Sequence, residues 1–236
     1  LFIRYRAMLE NHRTTVNGRV DSLTRQVLVY VQSGQLDKAL EVLGSHQFNR
    51  WEGGEMVRRL YVDAHLLRGS NRLQSGDAEG AVSDFQGADS YPPNLEQGRP
   101  VSGPRFAQVF YFLGLGFEAS GDEAKAREYW NSATQAESAG EGLYYQGLAW
   151  AKLGEPRLSA ATFSRFWDYA YSQSQADFFA KFSEIGSMEV QLAEVHYLRG
   201  LAYRGKGDEA NAREQLSLAL EKNPNHYWAK HHLQRR

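Results

Sequence analysis

Residues 193–224 read AEVHYLRGLAYRGKGDEANAREQLSLALEKNP. Gly200 stands seven residues before Gly207, Asp208 follows that glycine, and Ala212 comes five residues after it. Leu216, Ala219 and Pro224 complete the order. This is a helical hairpin in outline. A glycine at position 207 takes positive φ and ends the first helix with a left-handed cap. The acid after it caps the second helix and meets the positive end of its dipole. Gly200 lets the two backbones approach, and Leu216, one turn beyond Ala212, fills the groove between them.

The same order recurs around Gly34, Gly76, Gly121 and Gly154. The small residue five places on is Ala39, Ala81, Ala126 or Ser159, and the large one after it is Leu43, Phe85, Trp130 or Phe163. Ala88, Ala133 and Phe166 match Ala219, while Gly69, Gly114 and Gly147 match Gly200, with Val27 in the first copy. One hairpin cannot bury its own apolar face, so neighbours must stack. The sequence therefore predicts an all-α, right-handed α-solenoid of about five hairpins near 20–44, 62–93, 107–133, 140–167 and 193–224, in a single domain over 1–236. Val27-Leu28-Val29-Tyr30-Val31 is strand-like by propensity, but the repeat register places it in a helix. Extra helices are expected over Leu1–Thr15, after Trp167 and at the end of the chain.

Successive turn glycines are 42, 45, 33 and 53 residues apart. The long steps contain insertions at 44–55, 89–105 and 167–190, and insertions between repeats tend to carry function. Pro92, Pro93, Gly98 and Pro100 make the second a loop.

The pattern resembles the tetratricopeptide repeat, a family with a period of about 34 residues. More narrowly, the chain resembles the C-terminal helical region of large bacterial proteins that carry an N-terminal β-rich region of the sugar-mutarotase type. That likeness rests on Trp51-Glu52-Gly53-Gly54-Glu55, on Pro93-Asn94-Leu95 with Gly98, and on Asp177-Phe178-Phe179-Ala180. It implies a carbohydrate-related context and names no reaction. The start at Leu1 rather than Met fits a piece of a longer protein.

Composition narrows the function. Among 236 residues, 27 Lys+Arg balance 28 Asp+Glu, which argues against a nucleic-acid partner. The absence of cysteine excludes a disulfide framework, a zinc–thiolate site and a cysteine nucleophile. No apolar run approaches the roughly 20 residues of a membrane helix, and mean hydropathy is −0.57. No membrane partner is expected, and a cytoplasmic location is favoured. No phosphate-binding glycine loop or Ser-His-Asp arrangement is legible. His226, His231 and His232 lack the spacing of a metal site, and no metal or cofactor is expected. His65 and His196 share one repeat position and read as core residues.

Two groups of candidate residues remain. Glu52 and Glu55, beside Trp51, have the composition of an acid–base pair next to a sugar-stacking ring. The simpler reading has the acids capping the helix that begins near Glu55, so no catalytic residue is assigned. With Asn94 and Arg99 these three residues form candidate loop contacts to a partner or companion domain. Tyr111, Tyr144 and Tyr197 stand three residues before Gly114, Gly147 and Gly200, where the repeat family lines its concave groove. A row of tyrosines suits peptide or sugar contacts, and equally suits ring packing. The Lys and Asn with which chaperone-binding members grip a carboxylate are absent: the matching positions hold Thr24, Leu66 and the three tyrosines, then Leu28, Ser70, Leu115, Leu148 and Leu201. The sequence reading is thus a non-catalytic module that binds a protein or a companion domain of its own chain. The alternative is an accessory domain adding loops to a carbohydrate-binding cleft, and a self-contained enzyme ranks last.

Overall fold

The computed structural model describes residues 20–48, 54–96, 98–100, 103, 105–180 and 188–234. The chain divides into two compact units, 1–101 and 102–236. The described residues form eleven α-helices and no strand. In the first unit these are α1 (Val20–Gln32), α2 (Leu36–Ser45), α3 (Gly54–Gln74) and α4 (Ala78–Asp89), followed by a one-turn 3₁₀ helix, Pro93–Leu95. The second unit holds α5 (Arg105–Ala119), α6 (Glu123–Gln135), α7 (Gly142–Lys152), α8 (Pro156–Ala180), α9 (Met188–Gly205), α10 (Glu209–Lys222) and α11 (Tyr227–Gln234). The segment with strand-like propensity, 27–31, lies inside α1.

Every hairpin turns as the glycine pattern predicts. Gly34, Gly76, Gly121, Gly154 and Gly207 have φ between +73° and +84°. In each turn the next residue's N–H donates to the carbonyl five residues back, at 2.9–3.0 Å, as in Asp208 to Tyr203. These are Schellman caps. Asp77, Asp122 and Asp208 then accept from the backbone N–H three residues on, at 2.9, 3.0 and 3.1 Å. Gln35 makes no such side-chain bond.

Packing follows the paired small and large positions. A Cβ built on Gly147 would come within 2.5 Å of the Phe163 ring, and one on Gly200 within 2.7 Å of Leu216. Gly69 and Gly114 face Phe85 and Trp130 in the same way. Those large side chains are buried, and each contributes about 1.5–3 kcal/mol from the area removed from water. Phe163 also reaches the next hairpin, because a Cβ on Gly205 would meet the same ring at 2.5 Å. In the second unit α5 and α6 pack on α7, and α8 on α9, so successive hairpins stack.

One expectation needs correction. The helix expected after Trp167 is the continuation of α8, because residues 157–180 contain no glycine or proline to break it. The helix expected at the end of the chain is α11, and its Trp228, Ala229, His231 and His232 are buried. The helix expected over Leu1–Thr15 lies outside the described residues.

Candidate functional site

The first helices of three consecutive hairpins, α5, α7 and α9, bring Tyr111, Tyr144 and Tyr197 into one chain of rings. Tyr111 lies 5.9 Å from Tyr145, and Tyr145 lies 5.3 Å from Tyr144. Tyr144 meets His232 edge-on at 6.0 Å, and His232 lies 5.9 Å from Tyr197. The three predicted tyrosines are 9%, 2% and 1% exposed, in that order. His232 of α11 is a ring partner of both Tyr144 and Tyr197, while the ring contacts of Tyr111 are with Phe112 and Tyr145.

Polar bonds fix the ladder across hairpins. The Tyr197 hydroxyl donates to Glu141 Oε1 at 2.6 Å. Gln108 Nε2 donates to the Tyr145 hydroxyl at 2.8 Å. Burial, reinforced by the Glu141 charge, holds both hydroxyls well above the ordinary tyrosine range. They remain protonated donors and acceptors at any physiological pH. Beside them a cleft of about 290 Å³ opens between Arg105, Gln108, Gly140, Glu141 and Tyr169.

Helix α11 lies against this ladder. Trp228 is 4% exposed, with its ring 6.2 Å from Phe112 of α5. His231 packs on Phe112 at 6.4 Å and on Trp228 at 5.2 Å. His226 sits 4.6 Å from the Tyr197 ring, and its Nε2 is 3.2 Å from Glu194 Oε2. Arg204 of α9 donates to the His232 carbonyl at 2.9 Å and to Glu209 at 2.6 and 2.9 Å. The sequence carries a signal for this arrangement, since positions 228, 229, 231 and 232 share one helical face. The two histidines on that face obscure it, because histidine is as common on a surface as in a core.

The first unit holds the loop candidates. Asn94 Nδ2 donates to the carbonyls of Leu43 and His46, both at 2.7 Å, and its own carbonyl accepts from Phe48 N at 2.7 Å. It thereby caps the end of α2 and ties two insertions together. Arg99 pairs with Asp89 at 2.9 Å, 5.9 Å from the Tyr91 ring. Arg58 also stacks on Tyr91, 3.7 Å from its centroid. Glu55 is exposed in the first turn of α3, where its charge suits the helix dipole. Trp51 and Glu52 lie outside the described residues.

Sequence reasoning missed a buried charge cluster. Asp84 is 1% exposed and accepts from Arg68 Nε and Nη2, at 3.0 and 2.6 Å. Arg72 Nη1 and His65 Nδ1 approach it at 2.9 and 3.2 Å. Burial pushes its carboxyl up, but the bonds from His65 and Arg68 and the charge of Arg72 outweigh this and leave it below the ordinary carboxylate value. His196, at the repeat position of His65, bonds Gln215 at 2.9 Å.

Among the described residues no group of three His, Cys, Asp or Glu is placed to hold a metal ion. None of the described helices is long and apolar enough to cross a membrane.

Comparison with known proteins matches one of the hairpins to a known repeat. Residues 193–226 match the profile of the tetratricopeptide repeat family; they cover α9 beyond its first turn, α10 and the turn that follows. Among solved structures the chain is similar to YrrB, described as a TPR protein with an unusual peptide-binding site, at 16% identity over 96% of this chain and 95% of that one, with a TM-score of 0.33. It is also similar to MamA, at 17% identity over 94% and 86% of the two chains, with a TM-score of 0.35. A third is the C-terminal part of a TPR repeat-containing protein from Cytophaga hutchinsonii, at 13% identity over 99% and 95%, with a TM-score of 0.32. The described residues are helical with no strand, and they include a TPR-like repeat.

Proposed function

We propose that this chain is a non-catalytic interaction module, and that the ring-lined face of α5, α7 and α9 takes up a short aromatic helix of a protein partner or companion domain. Tyr111, Tyr144 and Tyr197 are the rungs of that face. One observation carries the reading: a helix of the chain itself, α11, is seated there with Trp228 as its buried anchor. A buried tryptophan surrounded by rings is how helix-in-groove recognition concentrates its energy. Helix α11 carries Lys230 and no acid, and the receiving face meets it with both signs, Glu194 against His226 and Arg204 on the His232 carbonyl. The partner expected is therefore an acid-poor amphipathic helix with a tryptophan anchor. The carbohydrate-related alternative draws on the sequence resemblance alone, and no described residue adds to it.

The test uses a fluorescein-labelled peptide of residues 225–234, NHYWAKHHLQ, and a chain carrying Trp228→Ala to weaken the internal occupant. Saturable binding with a dissociation constant of micromolar order, abolished when the peptide's tryptophan is replaced by alanine, is the expected result. Polarisation that stays flat, or binding indifferent to the peptide's tryptophan, would overturn the reading.

A further inference from the structure

The first turn of α5, the turn that opens α7 and the middle of α8 frame the cleft of about 290 Å³. That is close to the lower end of the about 300–1,000 Å³ of small-molecule sites, so it suits one metabolite-sized molecule rather than a dinucleotide or a peptide. Its lining carries both signs of charge, Arg105 from α5 and Glu141 from the residue before α7. Two buried hydroxyls hold Glu141: its Oε1 accepts from Tyr197 at 2.6 Å and from Tyr145 at 3.4 Å. Gln108, 2% exposed, in turn donates to the Tyr145 hydroxyl at 2.8 Å. The carboxylate is therefore positioned before any ligand arrives. Both charges act on one point, since burial and then the Glu141 charge push the Tyr145 hydroxyl up while the Arg105 charge pulls it down. Among the described residues no other charged side chain lines the cleft. Ala139, Gly140 and Gly142 bring backbone to its wall. The Tyr169 ring lies so close to Gly140 that a Cβ there would stand 3.0 Å from the ring's hydroxyl.

We propose that this cleft binds a free, zwitterionic α-amino acid with an aromatic side chain. The carboxylate lies toward Arg105, the ammonium toward Glu141 and the side chain against Tyr169 and Gly140. The site stands apart from the docking face and requires neither Trp228 nor the departure of α11.

Charge balance selects this class of ligand. A bare anion entering the cleft meets Glu141 and a bare cation meets Arg105, and a like charge is costly where water is scarce. An uncharged apolar molecule fills the space and strips water from both charges without replacing it. A zwitterion brings one charge of each sign, so it joins a balanced set without upsetting it, whatever other bonds Arg105 and Glu141 make. The aromatic walls supply the remaining selectivity, because a ring stacks where a polar side chain would lose its water.

Isothermal titration calorimetry of the native chain at about pH 7, where both groups of the amino acid are charged, tests this with L-phenylalanine. Binding of one molecule per chain with a dissociation constant of about 0.01–1 mM is expected for a ligand of this size. Phenylpropionate lacks the ammonium and phenethylamine lacks the carboxylate. Each should bind about 10-fold or more weakly than L-phenylalanine, the loss of one charge-assisted contact. Arg105→Gln should bring L-phenylalanine down to the level of phenethylamine and leave phenethylamine no weaker. Glu141→Gln, whose amide oxygen still accepts from Tyr197, should bring it down to the level of phenylpropionate and leave phenylpropionate no weaker. Ala139→Trp, at an exposed position of the rim, fills the cleft without touching either charge and should abolish binding. No heat from L-phenylalanine up to about 10 mM, an analogue that binds as tightly as the amino acid, or binding that survives Ala139→Trp overturns the proposal. So does a charge variant that keeps the native helical circular dichroism and binds L-phenylalanine as the native chain does. Should the charge variants lose that signature, the analogue series on the native chain and Ala139→Trp decide the matter.

Discussion

Phe163 is sandwiched between two glycines of different hairpins, and this makes a sharp test of how the repeats stack. Gly147→Ala would place a methyl group within 2.5, 2.7 and 2.8 Å of ring atoms Cε1, Cδ1 and Cζ. The ring is 7% exposed and is held on its other side by Gly205, so it has little room to yield. Overpacking of this kind costs about 1–3 kcal/mol, and removing glycine from a helix interior returns about 1 kcal/mol. The net loss is about 1 kcal/mol, or a fall of about 2–4 °C in Tm for a chain of this size. Phe163→Leu alone costs about 1–1.5 kcal/mol as a near-isosteric swap. Leucine lacks the ring's Cε1 and Cζ, so it vacates two of the three clashing positions. The double variant should lose about 1 kcal/mol less than the two singles together. Urea unfolding followed by helical circular dichroism gives all four corners of the cycle. Additivity to within about 0.3 kcal/mol would mean that glycine and ring are not packed as described.

Gly207→Ala meets no atom within 4 Å, but φ there is +80°; it should cost about 1–2 kcal/mol of unfolding free energy from backbone strain alone, with no rescue from Leu216→Ala. Asp84→Asn leaves the Arg68 and Arg72 charges short of a partner, and since both arginines are partly exposed the expected loss is about 2 kcal/mol rather than the 3–5 of a fully buried pair. The Asp84 carboxyl is depressed in the folded chain, so its stabilisation is complete above the unfolded value of about 3.9 and is lost as pH falls through the lower folded value; a pH series of urea midpoints should show a flatter acid limb in the Asn variant. Asp37→Ala, by contrast, removes only an 86%-exposed partner of Arg68 and should change stability by less than about 0.5 kcal/mol. Asn94→Ala strips donors from the Leu43 and His46 carbonyls, which should cost about 1–3 kcal/mol and speed amide hydrogen exchange in the last turn of α2.

The hairpins were legible because every determinant is local. A turn glycine, the acid after it, and the small–large pair across the hairpin lie within 17 residues of one another, from Gly200 to Leu216, and local consistency of this kind survives any tertiary context. The 3₁₀ turn at Pro93–Leu95 was read only as loop. What orders it is Asn94 reaching carbonyls 48 and 51 residues away, a relation no window of sequence contains. The Asp84 cluster escaped for a related reason. Asp84 looks like a solvated helix acid until the fold places Arg68 and Arg72 one turn apart on the facing helix.

The tyrosines sit between these cases, and they show why a site is harder to read than a fold. Their register was readable from the repeat, and a tyrosine at that position satisfies both packing and binding with the same ring. The deciding variable is what lies opposite, and here that is α11, whose Trp228 reaches a helix that begins more than a hundred residues earlier. A concave aromatic face left open to water would sacrifice the burial that stabilises the units beneath it. A face filled permanently could receive nothing. An eight-residue helix, too short to persist alone in water, reconciles the two demands. On the proposed reading it covers the rings at the cost of its own ordering and would yield them to a ligand that supplies the same tryptophan contact with more helix behind it. On this argument the weakness of α11 as an isolated helix is part of how the face works. Lys230→Pro, which breaks α11 while leaving Trp228 in the chain, should expose the face as fully as Trp228→Ala does; equal affinity of the two variants for the labelled 225–234 peptide would show it, and failure of the proline variant to bind would show that Trp228 holds the face without its helix.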